Sequence, residues 1–309
     1  MATGRAVPHL ERDPDPDAIA RGYEAIIKQF VSWATTQDEI RAAIVVGSRA
    51  RDDHPADAWA DLDIIVVAHE PGRYVRDPAW AERIGTPWIA FIEETPDGTA
   101  LERRVLFAGG LDVDFAFIDA TRVLDGGAVA MARAVFSRGM RVLLDRDGLI
   151  DRIGVPSAPA APEPPDAETV RQVVSDFWYH AVWTAKHLRR GELWWAKSGC
   201  DGRLKELLRI ALEWSAAVRG RDHWFRGRFF EEWVDPAIRS RLESAFARYD
   251  EADIWRALLV TMDLFTEVAP AAAQALGLPY PAEAELRARQ VVESLTPSPG
   301  TRRGEPTRD

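Results

Sequence analysis

The sequence predicts an α/β (α+β) protein, with a mixed β-sheet in its first half and helices alone in its second half. Short apolar runs rich in valine and isoleucine occur early in the chain, and turn residues separate them, as is typical of buried strands. A proline- and alanine-rich segment follows at 154–167 and is typical of a semi-rigid linker. We therefore expect a sheet domain at 1–153, a helical domain at 168–295 and a disordered tail at 296–309.

Each element of the sheet domain has its own signal. Apolar residues recur at helical spacing after Asp15 and Asp17, either of which is a plausible N-cap. Gly109 and Gly110 lie between two apolar runs and predict a hairpin turn. The predicted order is a helix at 15–37, strands at 40–47 and 62–69, an apolar run at 86–94, a hairpin at 100–119 with its return strand at 111–118, a helix near 120–134 and a strand at 141–145.

The second half shows helical periodicity and contains eight of the 12 tryptophans. Aromatic residues at helical spacing are usually core residues, so we expect most of these rings to be buried and one or two to line a binding cleft. The predicted helices span 166–190, 192–219, 236–248, 251–276 and 282–294.

The overall charge restricts the possible partners. The 309 residues carry a formal net charge of -10, with a pI near 5.2. Nucleic acid backbones and anionic membranes require clustered positive charge, so neither is expected, whereas a cationic small molecule suits an acidic protein. The single Cys200 allows no intramolecular disulfide, and no apolar stretch approaches the roughly 20 residues of a membrane span. With no signal-peptide pattern at the N-terminus, we expect a cytoplasmic protein, monomeric or weakly dimeric.

The stretch VVGSRARDDHPADAWADLDIIVV, residues 45–67, carries the clearest chemical signal. A strand ends in the turn Gly47–Ser48, and after a spacer Asp61 and Asp63 head the next strand with both side chains on one side of it. Adjacent carboxylates repel each other unless a cation neutralises them, and Mg²⁺ prefers carboxylate and phosphate oxygens. A third carboxylate, Asp114, lies on a later predicted strand. A lone Asp-x-Asp is usually a solvated strand end, but these features together predict a metal site beside a phosphate-holding turn.

Phosphoryl transfer to a hydroxyl needs a general base within about 3 Å of that hydroxyl. Asp114 fits this role if its strand neighbours the strand of the paired aspartates. Asp112 lies on the same strand face, but it is so close to the Gly-Gly turn that we interpret it as a turn residue. Asp176 and Glu192 of the helical domain are the alternative bases.

The 45–67 stretch resembles the signature of the nucleotidyltransferases of the DNA-polymerase-beta superfamily: an apolar residue, Gly-Ser, a spacer and Asp-x-Asp in apolar surroundings. With VLFAGGLDVDFAFID, FWYHAVWTAKHLRRGELWWAK and LLRIALEWSAAV, the chain is similar to the aminoglycoside 6-adenylyltransferases, or streptomycin adenylyltransferases, from about residue 20 to residue 280. The resemblance implies a nucleotidyltransferase domain and a helical substrate-binding domain, with ATP and Mg²⁺ in the cleft between them. The implied products are an adenylylated aminoglycoside and pyrophosphate.

The resemblance also implies roles for individual residues. The Gly-Ser turn would hold the triphosphate, the Asp-x-Asp pair would bind Mg²⁺, and Asp114 would share a metal or act as the base. Arg49 would contact phosphate or hold Asp61 in place. A nucleotide site without a Walker loop needs a cation for the β- and γ-phosphates, and the candidates are Lys186 and Lys205; the alternative for each is a solvated helix residue.

Two acidic residues of the helical domain are candidate ligands of the acceptor. Asp176 shares a helix face with His180, Trp183 and His187. Glu192 either interacts as a first-turn acid with the helix dipole or binds a substrate ammonium or guanidinium group, and the resemblance favours the second role.

Three functions remain open from the sequence. The first is ATP-dependent adenylylation of an aminoglycoside, with antibiotic resistance as the consequence. The second is nucleotidyl transfer to another acceptor, such as a lincosamide or a protein side chain. The third is a non-catalytic, antitoxin-like binding module, which the presence of every expected metal ligand disfavours. The proline-rich linker and the composition of the spacer depart from the resistance enzymes, and this departure leaves the acceptor open.

Overall fold

The computed structural model describes residues 15–95, 98, 100–158 and 163–297. The chain divides into two compact units, Met1–Ala160 and Ala161–Asp309. Among the described residues, every strand lies in the first unit and the second is helical, so the predicted α/β (α+β) fold class is confirmed. Most of the predicted tail and residues 159–162 of the predicted linker lie outside the described residues.

The first unit is built on one mixed sheet of six strands. The strand order across the sheet is β3-β4-β5-β2-β1-β6, in which β2 and β5 are parallel neighbours and the other four pairs are antiparallel. The parallel pair places the strand that follows the Gly-Ser turn beside the return strand of the hairpin. The strands are β1 (Ile40–Val46), β2 (Leu62–Ala68), β3 (Pro87–Glu94), β4 (Leu101–Phe107), β5 (Leu111–Asp119) and β6 (Arg141–Asp145).

Helices cover both faces of the central strands, which is why β1 is apolar along almost its whole length. Side chains of a strand alternate between faces, and Ala43 and Val45 pack with α1 and α2, whereas Ile44 packs with α3 and α4. These helices are α1 (Pro16–Ala34), α2 (Pro71–Arg76), α3 (Gly126–Phe136) and α4 (Leu149–Ile153).

The N-cap of α1 is Asp15, whose side chain accepts a hydrogen bond from the backbone N–H of Asp17, and Pro16 occupies the first helical turn. The sequence did not predict α2 and α4. They span six and five residues, respectively, and so short a segment contains too few apolar positions to establish a helical period.

The second unit contains only helices in its described residues, and none of the helices described in the chain is long and apolar enough to cross a membrane. Its core is a single cluster in which Phe177 of α5 stacks on Phe265 of α10, with ring centroids 3.6 Å apart. The helices are α5 (Ala167–Arg190), α6 (Leu193–Ser198), α7 (Leu204–Val218), α8 (Phe230–Trp233), α9 (Pro236–Ala245), α10 (Glu251–Ala275) and α11 (Ala282–Leu295).

The predicted continuous helix at 192–219 is wrong, because one turn of π-helix at Gly199–Arg203 separates α6 from α7. Gly199 lies so close to α5 that a Cβ atom there would come within 2.7 Å of Thr184 Oγ1 and 2.8 Å of the Trp183 ring. Apolar periodicity continues through this turn, so the sequence pattern alone does not show the interruption.

Most of the tryptophans of the second unit are core residues, as the sequence predicts. Trp178 and Trp255 are at most 4% exposed. Trp194 and Trp195, in contrast, are 74% and 59% exposed. Trp195 packs edge-on against the half-buried Trp183, with ring centroids 5.7 Å apart, so these aromatic rings form a surface cluster rather than part of the core.

Cys200 should be inert in the native protein. It is fully buried, and burial raises the pKa of its thiol to about 11. Only the thiolate reacts with disulfide reagents, so at pH 8 we expect no labelling of native protein and one thiol per chain in guanidinium chloride. The raised pKa also means that the thiol stabilises the fold up to about pH 9 and loses this contribution as the pH rises towards 11. Labelling at equal rates with and without denaturant would contradict the buried position.

Candidate active site

Three carboxylates meet where the parallel strands β2 and β5 lie side by side. Asp63 of β2 is paired directly with Asp114 of β5, and Asp61 immediately precedes β2. One oxygen from each of the three side chains lies within 4.8 Å of the other two, and all three residues are half-buried. Two residues separated by about 50 positions therefore become nearest neighbours through the parallel register. This donor set fits a hard divalent cation, which takes carboxylate oxygens as ligands.

The backbone of Gly47 lies directly against the Asp63 carboxylate of this cluster. Its φ of +69° lies in the left-handed region that favours glycine. A Cβ atom added at this position would lie 2.2 Å from Asp63 Oδ2. The turn residue and the carboxylate therefore touch, and glycine is required here for two independent reasons.

Ser48 lies next to this contact and has an unsatisfied side chain. It is 8% exposed, and its Oγ forms no hydrogen bond with any described residue. A buried hydroxyl without a partner costs about 1–3 kcal/mol of stability. Beside three carboxylates that can hold a cation, this hydroxyl is positioned for a ligand oxygen such as that of a phosphate.

Arg49 fixes the loop that leads into Asp61. Its Nε donates to the backbone carbonyl of Asp61 at 2.9 Å, and its Nη2 donates to that of Ala60 at 2.6 Å. The guanidinium carbon lies 3.6 Å from the ring centroid of Tyr23, a cation–π contact. These contacts correspond to the second role predicted for Arg49, which was to hold Asp61 in place; its contact with phosphate remains a prediction.

Asp112 is a strand residue, and its interpretation as a turn residue is wrong. It is the second residue of β5 and is paired with Leu106, because the turn ends at Gly110. The hydroxyl of Tyr23 donates a hydrogen bond to Asp112 Oδ1 at 2.8 Å. Burial of the phenol, with help from this carboxylate, raises the pKa of Tyr23 to about 12. The phenol that stacks against the Arg49 guanidinium therefore stays protonated and neutral.

Opposing effects act on the pKa of the Asp114 carboxyl group. Burial raises its pKa to about 6; Arg104, whose Nη2 lies 3.4 Å from Asp114 Oδ2, opposes the rise, and Glu102, Asp61 and Asp112 add to it. A bound divalent metal would relieve the repulsion between Asp114 and these neighbouring carboxylates.

The sequence pattern did not identify Tyr23 or Arg104 as parts of this site. Tyr23 belongs to the apolar stripe of α1, where it looks like a core residue. Arg104 is paired with Asp114 across β4 and β5, and its Nε lies 2.7 Å from Glu93 of β3. The pairing of β4 with β5 was predicted from the hairpin, so counting back from the Gly-Gly turn would have found Arg104.

The acidic candidates of the helical unit are already paired with cations. Asp176 forms an ion pair with Arg203, and His180 Nδ1 lies 2.6 Å from Asp176 Oδ1.

Glu192 precedes α6 without a capping hydrogen bond from its side chain. Its carboxylate instead contacts His187 Nδ1 and lies 2.7 Å from Arg190 Nη2. An acceptor ammonium would have to displace or share these partners, and the substrate role of both residues remains a prediction.

The two lysine candidates differ in their surroundings. Lys186 lies exposed on α5. Lys205 Nζ is inside the helical unit, where it donates to the carbonyl of Cys200 at 2.9 Å and to Thr261 Oγ1 at 2.8 Å. Burial lowers the pKa of Lys205. Its visible contacts are internal ones, and phosphate binding by either lysine remains a prediction.

Replacing Arg49 by lysine should loosen the loop before Asp61. An ammonium group cannot reproduce the planar fork that reaches two carbonyls while stacking on Tyr23, so we expect the free energy of unfolding to fall by about 1–2 kcal/mol. Urea denaturation measures this loss. Arg76→Lys, on the exposed end of α2, is the matched control and should unfold like the wild type; an Arg49→Lys midpoint equal to that of this control would contradict the assigned contacts.

The mixed six-stranded sheet and the carboxylate cluster beside a Gly-Ser turn agree with the nucleotidyltransferase domain that the sequence predicts. The model of the family described as streptomycin adenylyltransferase matches residues 20–295, and the chain belongs to this family. It is therefore an enzyme of the nucleotidyltransferase class.

Individual relatives are distant. The chain is 22% identical over 271 residues to the aminoglycoside 6-adenylyltransferase of Campylobacter jejuni, with 84% of this chain and 91% of the relative covered. It is 21% identical over 280 residues to the enzyme of the same name from Bacillus subtilis strain 168, with 84% and 93% covered. A crystal structure of an aminoglycoside 6-adenyltransferase from Bacillus subtilis is 17% identical, with a TM-score of 0.42 over 88% of this chain and 96% of that one.

Proposed function

We propose that this protein transfers AMP from ATP to a hydroxyl group of a streptomycin-like aminoglycoside, with release of pyrophosphate and resistance to the antibiotic as the consequence. The observation that carries the proposal is the cluster of Asp61, Asp63 and Asp114 beside the turn at Gly47 and Ser48. Membership of the streptomycin adenylyltransferase family supports the acceptor class. The formal net charge of -10 suits a polycationic acceptor.

The residues of the cluster fit Mg²⁺. Asp61 and Asp63 would hold the ion, with Asp114 as a shared ligand, because their carboxylate oxygens lie within 4.8 Å of one another and carboxylate oxygens are the donors that the ion prefers. When bound, Mg²⁺ supplies charge stabilisation to the phosphates as their negative charge redistributes. The buried hydroxyl of Ser48 and the backbone of the turn would bind the triphosphate.

Asp114 is the general base of this proposal. The acceptor hydroxyl oxygen forms a bond to the α-phosphorus of ATP, and the bond from that phosphorus to the bridging oxygen of the β-phosphate breaks. Pyrophosphate leaves with the electron pair, and the hydroxyl proton passes to an Asp114 carboxylate oxygen. Asp176 and Glu192 are weaker candidates because each carboxylate is in close contact with both an arginine and a histidine, whereas Asp114 lies 3.4 Å from Arg104 Nη2 and within the carboxylate cluster. Arg104 beside Asp114 would hold the carboxylate in position.

Pyrophosphate release with a panel of acceptors tests the proposal. Purified protein is incubated with ATP, Mg²⁺ and, separately, streptomycin, other aminoglycosides and a lincosamide, and the acceptor is then analysed by mass spectrometry. We expect release only with an aminoglycoside and addition of one AMP to it. Modification of the lincosamide alone would show that the acceptor is a lincosamide and not an aminoglycoside. ATP binding without any transfer would favour the non-catalytic alternative.

A further inference from the structure

The edge strand β3 exposes an unusual amount of apolar surface. It has β4 on one side and, in the described part of the chain, no strand on the other. Seven of its eight residues are exposed, and these include Trp88 (56%), Ile89 (55%), Phe91 (49%) and Ile92 (45%). Both faces of the strand contribute, so a helix packed on one face of the sheet would not cover them all.

Natural sheets protect their edges with charged residues, proline or bulges, because a bare edge pairs with other chains. In β3 these devices lie only at the ends. Pro87 begins the strand, a change of register between Pro87 and Ile89 places a bulge at Trp88, and Glu93 and Glu94 end the strand. The centre, from Ile89 to Ile92, has none. The opposite edge, β6, is protected differently, with Arg141 and Asp145 in a strand of five residues.

We propose that β3 pairs with β3 of a second copy of this chain, in antiparallel orientation, and that the two sheets join into one sheet of twelve strands. The strand is self-complementary about a two-fold axis at Ala90. In this register Ile89 lies opposite the partner's Phe91, and Ile92 lies next to the bulge at the partner's Trp88, so apolar side chains meet along the whole edge. A two-fold axis normal to the sheet also keeps corresponding faces on the same side.

The charges favour the same register. With Ala90 on the axis, Glu93 and Glu94 lie beside the segment before the partner's bulge, which contains Pro87 and Thr86, so no two acidic residues face each other. A shift of two residues that places Phe91 on the axis would put Glu94 opposite Trp88 and Glu93 opposite Ile89, which loses the apolar pairs at both ends. The sequence of the strand therefore favours the pairing centred on Ala90 over the pairing centred on Phe91.

The size of the surface indicates a reversible dimer. The four apolar side chains, each about half exposed, offer roughly 400 Å² per copy, based on the areas of full-sized aromatic and aliphatic side chains. This is about half of the ~800 Å² per partner of a standard interface. Backbone hydrogen bonds along the edge add to it, and we expect a dissociation constant on the order of micromolar.

Cysteine cross-linking tests the register. In the proposed pairing the two Ala90 residues lie directly opposite, with Cα atoms about 4.5–5.5 Å apart, a separation that a disulfide spans. We therefore expect Ala90→Cys to form a disulfide dimer rapidly under mild oxidation with copper phenanthroline. Glu94→Cys should not, because the two Glu94 residues would lie about 27 Å apart along the paired strands. Buried Cys200 gives little background, and the wild type should remain uncross-linked.

The other edge of the sheet provides the matched control. Val142 of β6 is 44% exposed, comparable with Ile92. Val142→Cys should cross-link only as fast as random collisions allow. If Ala90→Cys cross-links no faster than Val142→Cys, the proposed pairing is overturned.

Sedimentation velocity of the full chain from about 1 to 200 μM tests the dimer without oxidation. We expect the weight-average sedimentation coefficient to rise with concentration. Phe91→Lys, which places a charge at the centre of the edge, should raise the dissociation constant at least tenfold, whereas Val142→Lys should leave it unchanged; circular dichroism checks that both variants fold. A wild type that is monomeric throughout, or a Phe91→Lys variant that dimerises like the wild type, would overturn the proposal. Neither outcome depends on nucleotidyl transfer.

Discussion

Asp63→Asn should abolish nucleotidyl transfer and leave the fold intact. The amide has the shape of the carboxylate but removes the negative charge from the centre of the cluster of Asp61, Asp63 and Asp114. A catalytic metal stabilises the transition state by several kcal/mol, so losing it should lower kcat/KM by about 10³-fold or more. Pyrophosphate release in the presence of the acceptor measures the loss.

The same variant should also respond differently to Mg²⁺ in the absence of substrate. In the wild type the metal binds the folded state and relieves the repulsion among the carboxylates, so we expect Mg²⁺ to raise Tm. In Asp63→Asn this increase should shrink or vanish, because one of the three carboxylates that would hold the metal is gone. Asp53→Asn, an exposed carboxylate in the loop between β1 and β2, is the control and should behave like the wild type in both assays. An Asp63→Asn variant that retains full activity would exclude the cluster as the metal site.

Gly47→Ala should be the second most damaging change, although it adds only a methyl group. The new Cβ would lie 2.2 Å from Asp63 Oδ2, so the carboxylate or the turn must move. A displacement of about 1 Å in a catalytic group can cost 10²-fold in rate, and we expect a fall in kcat/KM of at least about this size. The left-handed φ of +69° adds a strain of about 1–2 kcal/mol.

Gly109→Ala separates the two effects. Gly109 lies in the turn between β4 and β5 with a φ of +88°, and a Cβ there would meet nothing within 4 Å. Both variants should lose stability in urea denaturation because of the left-handed φ, but only Gly47→Ala should lose activity. Equal activities in the two variants would show that the contact between Gly47 and Asp63 has no catalytic importance.

Much of the fold could be predicted from local sequence patterns. The β-branched apolar runs, the Gly-Gly hairpin and the helical stripes depend on side-chain periodicity and backbone preferences, which are properties of neighbouring residues. The break at Gly199–Arg203 could not be predicted in this way. It depends on the close approach of Gly199 to Trp183 and Thr184 of another helix, and such a contact is invisible to any local window.

The candidate site was predicted in part. The Gly-Ser turn and Asp-x-Asp are contiguous signals, and Asp114 was expected on a later strand. The parts that went unrecognised, Tyr23 and Arg104, act through partners far along the chain or across a strand pair: Tyr23 contacts Asp112, and Arg104 contacts Asp114. The role of Asp112 was misread because its closeness to the turn suggested a loop, whereas the pairing with Leu106 begins immediately after Gly110.

The sequence by itself determined which residues are candidates for the chemistry, since residue type, strand alternation and the Gly-Ser turn are local features of the chain. Only the tertiary structure decided which of them meet. The parallel pairing of β2 with β5 joins Asp63 to Asp114, and ion pairs with Arg203 and Arg190 occupy the two acidic candidates of the helical unit. The physical reason is that strand order and ion pairing minimise the free energy of the whole chain, with contributions from residues far apart in sequence, whereas periodicity reflects only the nearest neighbours.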